Sequence, residues 1–332
     1  MKKILNRPAD YVDETLDGMV AAHPESWRRL GEGGRVIARA GGAVQGKVGI
    51  VTGGGSGHLP VFQGYVGDGL LDACAVGNVF AGPRVADCQE AMRAADGGAG
   101  VLQLYGNYGG DRMNFDMARE FLELDGMDIA SVRVCDDVAS APPAERDKRR
   151  GVAGMVFAFK VAGARAAAGG TLAEVARAAS KAADACRSIG VALTPCVVPE
   201  SGKPSFEIAA DEVEFGMGIH GEPGIWRGRL KTADALTGEM LDRLLPEAGL
   251  ARGDRAAVLV NSLGATPPEE LYIMYRVVAK VLADRGVTPV MPLVGRYATS
   301  MEMAGASLTL MPLDAELESL LKAPASCPFW RV

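Results

Sequence analysis

The sequence predicts an α/β protein built as two α/β domains, with mostly parallel or mixed sheets and helices on both faces. Three observations predict it. Short apolar runs that read as strands alternate with longer segments of helical period along the whole chain. Glycine clusters follow directly after several of those runs, where such proteins present backbone amides to a ligand. The 332 residues are 48% hydrophobic, enough for two cores at ~150 residues per domain.

Residues 9–22 carry the first helix, with Val12, Leu16, Met19 and Val20 on one stripe. Strands are expected at 36–40 and 47–52, the second feeding Gly53-Gly54-Gly55-Ser56-Gly57-His58. This cluster is not a P-loop, because no Gly-Lys-Ser/Thr follows, and Pro60 stands where a dinucleotide-binding helix would continue. A ligand loop and a tight turn without a ligand both fit it. A buried strand spans 70–80, a helix 84–96, and a strand 100–105 that ends in Gly106-Asn107-Tyr108-Gly109-Gly110-Asp111. Asp111 stands just before an amphipathic helix at 113–124, either capping it or serving as a base. A strand at 129–134, a charged loop at 141–150 and helices at 152–168 and 172–188 follow. The second of these opens on the capping box Thr171-Leu172-Ala173-Glu174.

A composition shift near Gly190 divides the chain into 1–190 and 191–332. In the second part, strands are expected at 192–198, 205–209 and 212–215, the last leading into Gly216-Met217-Gly218-Ile219-His220-Gly221-Glu222-Pro223-Gly224. Glycines on both sides hold His220 on a loop at a strand end. Its imidazole suits it to nucleophilic or proton-shuttling work near neutral pH, although a backbone-bonded histidine in a turn is the plainer alternative. A strand at 256–261, a helix at 268–285 opening on proline, strands at 287–293 and 306–311 and a helix at 313–322 complete the pattern.

Composition excludes several classes. With 35 basic and 41 acidic residues the net charge is −6, which argues against a general nucleic-acid binder. Six scattered cysteines without a CxxC pair read as reduced thiols, and three histidines are too few for a histidine-rich metal site. Pro8 interrupts the start before a signal-peptide core could form, and no apolar run approaches the ~20 residues of a membrane span. A soluble cytoplasmic protein is expected, with no metal of its own.

Asn6-Arg7-Pro8, Gly53 to His58, Asn107 to Asp111, Gly218 to Gly224 and Asn261-Ser262-Leu263-Gly264 occur in one order and spacing. Together they closely resemble the substrate-binding K subunits of the dihydroxyacetone kinase family, over nearly the whole chain. The resemblance implies that His220 adds through a ring nitrogen to the ketone of a short-chain ketose, forming a covalent hemiaminal. Glycerol, lacking a carbonyl, would be refused. It further implies that His58 hydrogen-bonds the substrate and can move a proton, and that Asp111 is general base for the terminal hydroxyl. The substrate-binding set is Gly54, Gly55, Ser56, Gly57, Gly106 and Asp111. The family's K subunit holds no nucleotide. A separate L subunit carries ATP, or ADP recharged by a phosphotransferase-system protein, with magnesium, and the K subunit is a homodimer. No second module follows here, which implies the separate subunit and not the fused kinase.

The departures are Leu59 for a usual glutamate, Gly106 and Gly109 for a lysine and a threonine, and Asn78 at an often acidic place. Loss of the lysine is expected to open volume at Gly106, so a four-carbon ketose such as erythrulose is the alternative substrate. A ketose-sensing co-regulator is the alternative role.

Overall fold

The computed structural model describes residues 2–332. The first six-stranded sheet comprises β1 (Trp27–Leu30), β2 (Val36–Arg39), β3 (Gly49–Ser56), β4 (Ala73–Val79), β5 (Val101–Gly106) and β6 (Ile129–Val134). Their order across the sheet is β1-β2-β4-β3-β5-β6. β4, β3, β5 and β6 are parallel, and β1 and β2 add antiparallel strands at one edge. All of β3 and β5 is buried, as expected where helices cover both faces of a parallel sheet. Three helices belong to this half: α1 (Tyr11–Ala22), α2 (Val85–Ala95) and α3 (Gly109–Leu124). Val12 and Leu16 of α1 are buried, and Met19 and Val20 pack against the same core.

Two further helices, α4 (Met155–Ala167) and α5 (Leu172–Ala185), lead to the second sheet. The predicted capping box is present: Glu174 N donates to Thr171 Oγ1 and Thr171 N donates to Glu174 Oε2. Except for Arg165 and Ala167, every residue of α4 is buried, which marks a helix surrounded by protein. Its core cluster takes Ile50 and Leu102 from the first sheet, Leu259 and Met311 from the second, and Trp330 near the C-terminus.

The second sheet is formed by β7 (Arg187–Ala192), β8 (Glu212–Phe215), β9 (Trp226–Arg229), β10 (Arg255–Ser262), β11 (Thr288–Gly295) and β12 (Gly305–Leu313). Its order is β11-β10-β12-β7-β8-β9. This sheet is mixed, within the expectation of mostly parallel or mixed sheets: only β10 and β11 are parallel. Parallel neighbours need a long crossover, and α7 (Pro268–Arg285), between β10 and β11, supplies it.

Some expectations change. The helix predicted to reach residue 188 ends at Ala185, and Arg187 already begins β7, so the break placed near Gly190 falls inside a strand. Strands at 192–198 and 205–209 are replaced by an irregular loop with one bridge, Val197 to Pro204. Pro195 and Pro199 lack the amide donors a ladder requires. The helix α6 (Ala233–Ala248), with Leu236, Met240, Leu241, Leu244 and Leu245 buried, was not anticipated. A short helix α8 (Ala315–Lys322) and a hairpin, β13 (Ser326–Cys327) with β14 (Trp330–Arg331), end the chain. No described helix is long and apolar enough to cross a membrane.

Candidate active site

The carboxyl ends of β3, β4 and β5 converge on one point, and the loop after β8 reaches it from the second half. β3 does not stop at residue 52. It runs on through Gly53, Gly54, Gly55 and Ser56, so the cluster expected as a loop is mostly strand. Its glycines answer to packing: a Cβ on Gly54 would lie 2.3 Å from the Phe62 ring, and one on Gly55 2.8 Å from Phe80 Cα. Ser56 Oγ donates to Gly77 O at 3.1 Å, which commits that hydroxyl internally. The chain turns at Gly57, whose φ of +102° favours glycine, and sets His58 beyond the strand end.

His58 is 1% exposed. Its Nδ1 lies 2.6 Å from Thr299 O, and an imidazole nitrogen facing a carbonyl must carry the proton. Nε2 therefore holds a lone pair, and it is buried without a partner. Burial, then the charge of His220, push the ring down to about 3, so His58 is neutral near pH 7 and accepts hydrogen bonds. Backbone bonds from Met301 N to Gly57 O (2.7 Å) and from Thr299 N to His58 O (3.3 Å) clamp the turn. Phe80 stacks on the ring at 5.0 Å and Phe62 meets its edge at 5.9 Å. Phe62, Phe80 and Met301 all hold positive φ angles (75°, 57° and 54°), a concentration of backbone strain around this one side chain.

Asp111 is the third residue of α3, which starts at Gly109 and not at 113 as expected. Of the two readings open in the sequence, capping falls away: the N-cap is Tyr108, and Asp111 Oδ1 is buried without a partner. Gly82, after β4, lies against it; a Cβ there would stand 2.7 Å from that oxygen. Burial raises the carboxyl to about 6, against a smaller opposing pull from His220.

His220 occupies the turn after β8, with its side chain 21% exposed. Its ring meets His58 and Tyr108 edge-on, each at 4.8 Å between centroids, and Phe80 at 5.4 Å. Nδ1 is 2.9 Å from Glu222 Oε1, and the His220 amide donates to Glu222 Oε2 at 2.5 Å. Burial alone would raise the Glu222 carboxyl, but the His220 hydrogen bond and the charges of His220 and Arg150 outweigh it and leave it below the usual glutamate value. An ionised carboxylate accepting from Nδ1–H leaves Nε2 of His220 with the free lone pair. The sequence reading gave Glu222 no role, although its place two residues after the histidine was visible.

The expected hollow at Gly106 is absent. A Cβ at this buried position would lie 3.1 Å from Met155 Sδ and 3.3 Å from Tyr108 Cε2, so neighbouring side chains fill that space. Among the described residues, no group of three or more His, Cys, Asp or Glu could hold a metal ion.

The site thus offers one nucleophilic nitrogen beside two acceptors, His58 Nε2 and Asp111 Oδ1, that want hydrogen-bond donors. A polyhydroxylated carbonyl compound answers all three. A relative from Listeria innocua, named as the dihydroxyacetone-binding subunit DhaK of a PTS-dependent dihydroxyacetone kinase, is 44% identical over 99% of this chain and 100% of its own. An L-erythrulose kinase from Pectobacterium atrosepticum is 42% identical, and the chain spans 56% of its length. The dihydroxyacetone kinase of C. freundii superposes with a TM-score of 0.91 at 32% identity, over 99% of this chain and 60% of that one; it has also been crystallised with AMP-PNP and Mg2+. The operon co-activator DhaQ gives a TM-score of 0.89 at 32% identity, covering 96% of this chain and 97% of its own. The Dak1 domain model matches residues 17–329, and the chain belongs to the Dak1 family of dihydroxyacetone-kinase substrate-binding proteins.

Proposed function

We propose that the chain is the ketose-binding subunit of a dihydroxyacetone-kinase-type phosphotransferase, with an alcohol group as acceptor. The observation that carries this is the His220–Glu222 pair standing beside the unpartnered Nε2 of His58 and Oδ1 of Asp111.

The Nε2 lone pair of His220 adds to the ketone carbon. A C–N bond forms, the carbonyl π pair moves to oxygen, and that oxygen takes a proton to become a hydroxyl. The ring, cationic after attack, passes its Nδ1 proton through Glu222 to solvent, which in return supplies the proton taken by oxygen. The adduct fixes the substrate's terminal hydroxyl in place, so its later reaction is effectively intramolecular. Asp111 accepts the hydroxyl proton as that oxygen attacks phosphorus. His58 acts by accepting a hydrogen bond from a substrate hydroxyl; with its proton on Nδ1 and bonded to Thr299, it has none to give toward the site.

The phosphoryl donor, a magnesium nucleotide or a phosphotransferase-system protein acting through one, comes from a partner subunit. Its docking face is supported by α3, the helix that carries Asp111. Met113, Met117, Phe121 and Leu124 are 61%, 44%, 53% and 86% exposed along one stripe of that helix. The stripe begins two residues after Asp111 and runs along the opposite, solvent-facing side of the helix from Asp111, Phe115, Ala118 and Leu122.

A four-carbon ketose remains the second reading of the substrate, because erythrulose kinases match at 41–42% identity, close to the 44% of the dihydroxyacetone-binding relative. The test uses dihydroxyacetone and erythrulose labelled with 13C at the carbonyl. Conversion of the ketone signal to a tetrahedral one with wild type, absent with His220→Ala, is expected. Persistence of the adduct in that variant would overturn the reading, and comparative kinetics with the nucleotide subunit selects the sugar.

A further inference from the structure

We infer that Arg150 and Asp137 are positioning residues for His220: a largely buried ion pair from the segment between β6 and α4 that holds Glu222, and through it keeps Nε2 the free nitrogen. The inference rests on the reading of His220 above and deepens it.

The pair is held mainly by bonds within its own segment. Asp137 is 2% exposed, and its Oδ2 accepts from Arg150 Nε at 2.9 Å and lies 2.7 Å from Nη2. Asp137 Oδ1 accepts from Ala139 N at 3.0 Å. The backbones of the two residues are joined as well, Asp137 N donating to Arg150 O at 3.1 Å, and Arg150 N donates to Ser140 Oγ at 3.0 Å. Two chain segments therefore fix the guanidinium fork, which is planar and cannot swing without breaking several bonds.

The outer edge of the fork faces the loop that carries His220. Nη2 donates to Gly216 O at 3.2 Å, and Nη1 stands 3.8 Å from Glu222 Oε2, the oxygen that also accepts the His220 amide. At that separation the contact is charge attraction, and it orients the carboxylate so that its other oxygen meets His220 Nδ1. Asp137 offsets the charge of Arg150, so the fork steers Glu222 without a net positive field against the cationic ring formed on attack. Gly218 makes room for this arrangement. A Cβ there would lie 2.2 Å from Glu222 Oε2 and 2.6 Å from Arg150 Nη1.

A pair that merely ties the two halves together would affect stability alone. The test therefore reads the imidazole directly. In 15N-labelled protein without ketose, the ring nitrogens of His220 in wild type are expected to report a protonated Nδ1 and a free Nε2. Arg150→Lys keeps the charge and loses the fork, and Gly218→Ala pushes the two groups apart while removing neither. In each, the shifts are expected to move toward a mixture of tautomers, with roughly tenfold weaker ketose binding, the scale seen when an outer partner of a functional histidine is removed. Folded Arg150→Lys and Gly218→Ala proteins that retain the wild-type tautomer and bind ketose within twofold of wild type would overturn the inference. The tautomer is read without substrate, so a wild type that shows it yet forms no ketose adduct fails the substrate reading and leaves this one standing.

Discussion

His58 and His220 lie 4.8 Å apart between ring centroids, yet the chain treats them oppositely. His58 is sealed between Phe62 and Phe80, tied through Nδ1 to a backbone carbonyl, and held neutral by burial. His220 is partly open to solvent and backed by a carboxylate instead of a carbonyl. A carbonyl can only fix the tautomer, whereas a carboxylate would also stabilise the positive charge of a ring that attacks a carbonyl carbon, the role proposed for His220. One residue type is thus suited to a fixed acceptor in one place and to the proposed nucleophile in the other, by what stands behind Nδ1.

The sharpest way to break that contrast is to remove the nucleophile. His220→Asn in the reconstituted kinase is expected to lose at least about 10³-fold in turnover, because no other group forms the bond to the ketone. Retention of a tenth of the activity would make the two histidines interchangeable and end the argument.

Asp111→Asn comes next, with a loss on the order of 10²–10⁴-fold. Unlike His220→Asn, it is expected to leave adduct formation intact, which 13C spectra of the labelled ketose measure. A base must be ionised to act, and burial lifts this carboxyl to about 6. Wild-type turnover should therefore fall roughly tenfold per pH unit below about 6. A flat profile from pH 7 to 5 would remove Asp111 from the role.

His58 tests the buried side of the comparison through stability. Its folded-state value, near 3, lies below the unfolded 6.5, so the unfolded chain takes up a proton that the folded one refuses. Its contribution is complete above pH 6.5 and is lost as pH falls toward 3. In urea titrations across that window, His58→Asn is expected to lose stability less steeply than wild type. Parallel curves would mean that the ring is not held neutral.

The smallest effect lies outside both imidazoles. Phe121→Glu on the exposed stripe of α3 is expected to raise the KM for the nucleotide subunit a few-fold, about the 1 kcal/mol of a modest interface contact, and to leave the ketose adduct unchanged. An altered adduct would mean that the stripe serves the fold of the site.

Much of this was legible in the sequence. Apolar periodicity located β3, β5, β6, α1, α2, α7 and α8, and glycine-flanked motifs marked His58, Asp111 and His220. Periodicity did not reveal that Gly53 to Ser56 remain in the strand, because the reason is the rings of Phe62 and Phe115 pressing on a backbone without side chains. Nor did it reveal β7, whose residues continue smoothly from α5 and become a strand only when β12 and β8 offer partners.

The order of residues by itself determined the chemistry available: three reactive side chains in glycine-flanked motifs, and a chain of alternating elements able to support them. These are local properties, carried by residue type and by neighbours a few positions away. Only the tertiary structure decided that His58 accepts and does not donate, that Asp111 is not a helix cap, that Gly106 is filled by Met155 and Tyr108, and that Glu222 stands behind His220. The partners of His58 and the filling at Gly106 depend on desolvation and on contacts between segments far apart in the chain, which exist only once the chain has packed around α4. The Glu222 contact is local, but which way the loop turns its carboxylate is set by the fold.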